Sequence, residues 1–166
     1  MYQRILIPFD GSQTSENGLR EALRLAKLTE ARICVLHVVE VMSHVTGYES
    51  ASAYTLEALP QMRRAAEHIL QRARVCAAEL GLAAETVLLE SRATSVAELV
   101  IDQAKNWKAD LIVIGTHGRR GFHRLLLGSD AEQILRMALV PVLLVRTPEE
   151  GASRGTLANG TDARQK

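Results

Sequence analysis

A chain of 166 residues, 47% hydrophobic and 23% charged, is long enough to bury one sizeable core and has the mixture of a globular protein rather than a disordered one. With 20 Lys and Arg against 19 Asp and Glu, a formal charge of +1 and only 4% aromatics, it offers neither a basic nucleic-acid surface nor a base-stacking series, so no nucleic-acid partner is expected. No segment approaches the ~18 apolar residues of a membrane span, and the apolar stretch near Met1 is too short for a signal peptide; the expectation is a cytoplasmic protein with no membrane partner.

Taken in chain order, the first element is the apolar run Ile5 to Phe9, closed by Asp10-Gly11-Ser12. Leu19, Ala22, Leu23 and Ala26 follow at helical spacing, with Ser12 or Thr14 placed to cap that helix. A second run, Ile33 to Val39, leads into residues 41–59, whose weak periodicity and length suit either a functional cover or a plain surface loop. Met62, Ala66, Ile69, Ala73, Ala77 and Leu80 mark a second helix, opened by Pro60 and stopped by Gly81. Thr86 to Leu89 is the third run; Val96, Leu99, Val100, Ala104 and Trp107 mark the third helix. Leu111 to Ile114 is the fourth run, Ala131, Ile134, Leu135 and Ala138 mark a fourth helix, and Val142 to Val145 closes the series. Each run reads as a strand buried on both faces. The alternation predicts an α/β protein, a three-layer open parallel five-stranded sheet. Beyond Arg146 apolar periodicity is lost, so residues 1–146 are read as one domain and 147–166 as a disordered tail.

Between the fourth run and the fourth helix lies GTHGRRGFHRLLLGS, Gly115 to Ser129. Gly115, Gly118, Gly121 and Gly128 lack a Cβ, so their backbone is expected to take positive φ and approach a ligand closely. Gly128-Ser129 precedes a helix whose N-terminal amides and dipole suit an anion. A P-loop is excluded because no Gly-Lys pair occurs, and the dinucleotide fingerprint is excluded because the first turn reads Asp10-Gly11-Ser12. The remaining pattern, G-x2-G-x9-G-S, resembles the nucleotide-binding signature of the universal stress protein family in its ATP-binding branch. The opening strand RILIPFDGS, the second strand CVLHVVE and the closing strand VPVLLVR extend the resemblance over nearly the whole ordered chain.

The resemblance implies the strand order 3-2-1-4-5 of a Rossmann-like sheet, which brings the ends carrying Asp10 and Gly115 to one crevice at the switch point. It also implies roles. Pro8 and Phe9 line the pocket, Phe9 being larger than the residue many members carry. Asp10 contacts the nucleoside, or only caps the first helix. The Val38 backbone N–H and C=O meet the adenine edge. Gly115, His117, Gly118, Arg119, Gly128, Ser129, Asp130 and Ala131 surround the phosphates, with backbone donation from Gly118 and Arg119 favoured over side-chain contacts. Ser129 suits an N-cap as well as a phosphate contact. Valine is frequent where Asp130 stands, and the Asp130 carboxylate opposes a phosphate unless it points outward or a divalent cation intervenes, the outward orientation being favoured. His37, a lone strand histidine, reads as a satisfied structural residue, while His123 and Arg124 go to the far side of the loop and Arg120 stays unassigned.

The implied ligand is ATP, or ADP or AMP, with Mg2+ or Mn2+ accompanying the phosphates rather than held by a protein cage. No nucleophile elbow and no paired catalytic carboxylates are present, so catalysis is at most slow hydrolysis or phosphoryl transfer. The other reading is a dimeric interaction module of the same fold that binds no nucleotide. Scattered histidines predict no zinc site, and Cys34 and Cys76 read as buried thiols. The resemblance places the closing strand at a sheet edge, where a homodimer would cover it through Val142 and Leu144 or through Leu143 and Val145.

Overall fold

The computed structural model describes residues 1–41, 58–116 and 128–146. The order of elements is β1 (Arg4–Pro8), α1 (Gln13–Thr29), β2 (Arg32–Glu40), α2 (Leu59–Glu79), β3 (Ala84–Ser91), α3 (Val96–Trp107), β4 (Leu111–Thr116), α4 (Ser129–Met137) and β5 (Val142–Arg146). The strands form one 5-stranded parallel sheet in the order β3-β2-β1-β4-β5, as the resemblance implied. Alternation along each strand divides the apolar side chains between two cores. Ile5, Ile7, Val35 and Val113 meet α1 and α2 on one face; Leu6, Leu36, Ile112 and Ile114 meet α3 and α4 on the other.

Burial on both faces holds for the inner strands and fails at the edges. Ile5, Leu6 and Ile7 of β1 are fully buried, whereas β3 and β5 are mostly half-exposed, because an edge strand has a neighbour on one side only. The helical stripes are also turned slightly from the expected ones. In α2, Leu59 and Leu70 join the expected Ala66, Ala73 and Ala77 at the buried face, Ile69 is only partly buried, and Leu80, just past the helix, is 36% exposed. Ala97 and Ile101 join Val100, Ala104 and Trp107 at the buried face of α3, while Leu99 lies at its margin. Leu135 of α4 is exposed. Cys34 is buried but Cys76 only half so.

Local signals account for the element ends. The Ser12 hydroxyl accepts from the Ser15 N–H at 3.2 Å and caps α1, and Ser95 with Glu98 forms a reciprocal capping box on α3. Gly81, at φ +73, follows the C-cap of α2, where a left-handed residue ends a helix most easily. α1 and α3 end instead on left-handed Glu30 and Lys108. At the lower edge of the sheet the Trp107 indole N–H donates to Glu85 at 3.0 Å, and the Arg4 guanidinium lies over the same ring. These contacts join β1, β3 and α3.

Among the described glycines, the tightest approach is between α1 and β4. A Cβ on Gly115 would fall 1.8 Å from the Thr14 carbonyl oxygen, and a Cβ on Gly18 would fall 2.8 Å from the Gly115 nitrogen. Gly115 is therefore a packing glycine within β4 and not a position of positive φ. Its missing side chain lets the first turn of α1 rest on the strand and brings the Ser12 cap to the upper rim of the sheet.

Candidate functional site

Where β1 and β4 end side by side, α1 leaves toward one face and α4 starts on the other. The gap between them is a cavity of about 440 Å³, in the range of small-molecule sites. Of the residues picked from the sequence, Pro8, Phe9, Asp10, Val38, Gly115, Gly128, Ser129, Asp130 and Ala131 all line it. His117, Gly118 and Arg119 lie outside the described residues, as do Arg120, Gly121, His123 and Arg124, residues 42–57 and the tail 147–166.

The β1–α1 turn builds one wall. Asp10 does not cap α1. Its Oδ1 accepts from the Ser12 N–H at 2.9 Å, a tight side-chain turn across Gly11 at φ +78, and Ser12 takes the capping role. Partial burial pushes the Asp10 pKa up, but the hydroxyls of Ser12 and Ser15 and the Ser12 N–H outweigh it, so the carboxyl lies below its ordinary value. Ser12 Oγ is also 2.9 Å from Thr14 Oγ1, and both residues line the cavity. Phe9 is buried among the residues of the α1 and α2 face, which accommodates its large ring within the core.

The β2 wall is formed by Leu36, His37, Val38 and Glu40. β1 pairs with β2 as far as Pro8 opposite Leu36, and the Phe9 N–H donates to the Leu36 carbonyl at 2.8 Å. Alternation then turns the N–H and C=O of Val38 toward the same side, where β1 has already bent away at Asp10. The Phe9 carbonyl accepts instead from His37 Nδ1, at 2.6 Å, so His37 is a satisfied strand histidine and Nδ1 is assigned the proton.

The α4 wall differs from expectation in its cap. Gly128, not Ser129, is the N-cap, and no side chain fills the capping role. Gly128 has φ −60, so positive φ is not why glycine stands there. Among the described residues, nothing lies within 4 Å of the place its Cβ would occupy. The first-turn N–H groups of α4 face space that a side chain would narrow. α3 contributes apolar Val96 and Val100.

Sequence reasoning missed Ser12, Thr14 and Ser15 as pocket residues, reading the first two only as caps. Glu40 was also missed, although its position two residues after Val38 was the available signal. The charged described lining residues are Asp10, Glu40 and Asp130, all acidic. Among the described residues no group of three or more His, Cys, Asp or Glu is disposed to hold a metal ion, and no helix is long and apolar enough to cross a membrane.

The sequence matches the universal stress protein family over residues 1–146. The chain belongs to that family. A universal stress protein of Methanocaldococcus jannaschii is 33% identical over 150 residues, covering 90% of this chain and 85% of the relative. A solved structure of a universal stress protein family member from Burkholderia pseudomallei is 32% identical with a TM-score of 0.69, covering 87% of this chain and 96% of that one. Two further universal stress protein structures share the fold at 23% identity. One, from Archaeoglobus fulgidus, is in complex with dAMP, with a TM-score of 0.59 and coverage of 87% and 98%; the other is in complex with cAMP, with a TM-score of 0.64 and coverage of 89% and 99%.

Proposed function

We propose that this universal stress protein binds ATP in the cavity between β1, β2 and α4 and acts as a nucleotide-linked switch or stress-tolerance factor rather than as an efficient enzyme. The observation that carries the reading is the convergence of Asp10, Val38, Gly128 and Ser129 on one cavity, with the free strand edge at Val38 and the α4 N-terminus at opposite walls. The Val38 N–H and C=O form a donor and acceptor pair of the kind an adenine edge matches. The Asp10 carboxylate, held ionised by its hydrogen bonds, suits ribose hydroxyls. The α4 amides suit phosphate oxygens, with His117, Gly118 and Arg119 supplying further donors from the segment beyond β4. The structures bound to dAMP and cAMP support an adenine nucleotide as the ligand class.

A divalent cation, Mg2+ or Mn2+, would enter with the phosphates and screen them from Asp130. Any turnover of ATP in this reading is slow hydrolysis or phosphoryl transfer at the same phosphate site. Assembly belongs to the same proposal: the edge strand β5 meets its symmetry mate in a homodimer. Val142 and Leu144 pack toward α3 and α4 and Val145 toward α1, while Leu143 is 37% exposed, which makes Leu143 the outward contact.

Mass spectrometry of nucleotide retained by gently purified protein, followed by calorimetric titration, tests the reading. Retained adenine nucleotide, heat of binding with ATP and Mg2+, and a rise in melting temperature on ligand addition are the expected results. No retained nucleotide together with no heat or thermal shift at millimolar ATP would leave the non-binding dimeric module as the function of this fold.

A further inference from the structure

We propose that His37 is a positioning residue that ends the β1–β2 ladder one rung early and so keeps the Val38 N–H open to a ligand. The inference rests on the nucleotide-binding reading and adds to it the device that prepares the base-recognition edge. In a parallel ladder, a residue whose C=O accepts from the N–H of a residue on the neighbouring strand is followed two positions later by one whose N–H donates to the C=O of that same neighbour. Leu36 accepts from the Phe9 N–H at 2.8 Å. The next rung would be the Val38 N–H donating to the Phe9 carbonyl. No such bond is present, and that carbonyl receives the His37 imidazole Nδ1 at 2.6 Å.

The substitution has two effects. A buried or half-buried carbonyl left without a donor is costly, so without His37 the Phe9 carbonyl has reason to draw back onto Val38 and extend the ladder. With His37 in place, both the N–H and the C=O of Phe9 are held by β2, through Leu36 and His37, while the carboxylate of the following residue, Asp10, accepts from the Ser12 N–H. One side chain therefore separates the two groups proposed to read the nucleoside, the Val38 edge and the Asp10 carboxylate, and holds the gap between them open. Nothing in this requires the imidazole to touch the nucleotide, although His37 also borders the cavity.

The test uses His37→Leu, His37→Asn and His37→Gln in the full chain, with two readouts: ATP affinity in the presence of Mg2+, and hydrogen exchange of the Val38 amide without ligand. An Asn amide nitrogen reaches the place of Nδ1 and a Gln amide nitrogen the place of Nε2. The expected results are fast Val38 exchange in the wild type, exchange slowed at least tenfold in His37→Leu, and an ATP affinity lowered about tenfold, the size of one ordinary hydrogen bond. His37→Asn keeps both wild-type values and His37→Gln resembles His37→Leu. A merely structural role would loosen the segment and speed Val38 exchange, the opposite sign. If the Leu variant does not fold, the Asn and Gln pair carries the comparison. Slow Val38 exchange in the ligand-free wild type, or identical affinity and exchange in Asn and Gln variants, overturns the proposal. A wild type that binds no ATP instead overturns the nucleotide reading, and the exchange data still decide whether His37 blocks the rung.

Discussion

Gly115→Ala tests the contact that sets α1 against β4. The added Cβ would stand 1.8 Å from the Thr14 carbonyl oxygen, 2.4 Å from its carbon and 3.0 Å from the Ser15 nitrogen. All three are backbone atoms in the first turn of α1, so no rotamer change relieves the overlap, and helix and strand must part by more than about 1 Å to restore ordinary contact. Overpacking of well-ordered cores costs roughly 1–3 kcal/mol, and a clash of backbone against backbone belongs at about 3 kcal/mol. In a domain of this size each kcal/mol is worth roughly 2–4 °C, so differential scanning calorimetry should find a melting temperature about 6–12 °C below wild type. Gly18→Ala, whose Cβ would meet the Gly115 nitrogen at 2.8 Å, should lower it by less, because that overlap is shallower. A Gly115→Ala protein melting within about 2 °C of wild type would refute the packing argument.

Gly128→Ser reverses the logic: its φ of −60 and the lack of any described residue within 4 Å of its Cβ position admit a side chain, and a serine hydroxyl can cap α4. Its melting temperature should hold or rise by a degree or so, while calorimetric ATP affinity falls about fivefold as the hydroxyl competes for the amides. Glu85 is held below its ordinary pKa of 4.5, chiefly by the Trp107 indole; a carboxyl whose folded value is depressed stabilises above the unfolded value and loses that contribution as pH falls through the folded one. Acid titration followed by circular dichroism should therefore show Trp107→Phe unfolding at a higher pH than wild type. Leu143→Arg, at the exposed position of β5, should shift a light-scattering dimer toward monomer and leave ATP affinity within about twofold.

The order of elements was legible because apolar runs and helical stripes alternate cleanly, from Ile5 to Phe9 through to Val142 to Val145. Strand order was not in the periodicity and came from the resemblance carried by the glycine pattern. The readings that shifted depend on three-dimensional neighbours. An apolar run such as Thr86 to Leu89 looks the same at the edge of a sheet as at its centre, yet β3 is half-exposed. A glycine shows in sequence that a Cβ is absent, not what would have met it: Thr14 at Gly115, and nothing among the described residues at Gly128. Likewise His37 was readable as a satisfied histidine, but its partner, the Phe9 carbonyl, lies 28 residues away, and only the strand register shows which rung that bond replaces.

The charge of the cavity leads to the last prediction. Its described charged residues, Asp10, Glu40 and Asp130, are all acidic, and a triphosphate would add several negative charges beside them. The helix dipole at α4 contributes about half a positive charge, and Asp130 and Glu132 in its first turn offset much of that. Two sources of compensation remain: His117 and Arg119, in the segment beyond β4, or a divalent cation carried by the phosphates. If the cation supplies most of it, replacing Mg2+ with EDTA should weaken ATP at least tenfold, more so at low ionic strength, where exposed charges are less screened, and leave adenosine within about twofold at any ionic strength. Asp130→Asn should then recover part of the lost ATP affinity in EDTA, because it removes a carboxylate that stands in the first turn of α4 and borders the cavity. Equal ATP affinity in Mg2+ and EDTA, unchanged by Asp130→Asn, would show that the protein's own cations neutralise the phosphates and that the metal has no part in binding.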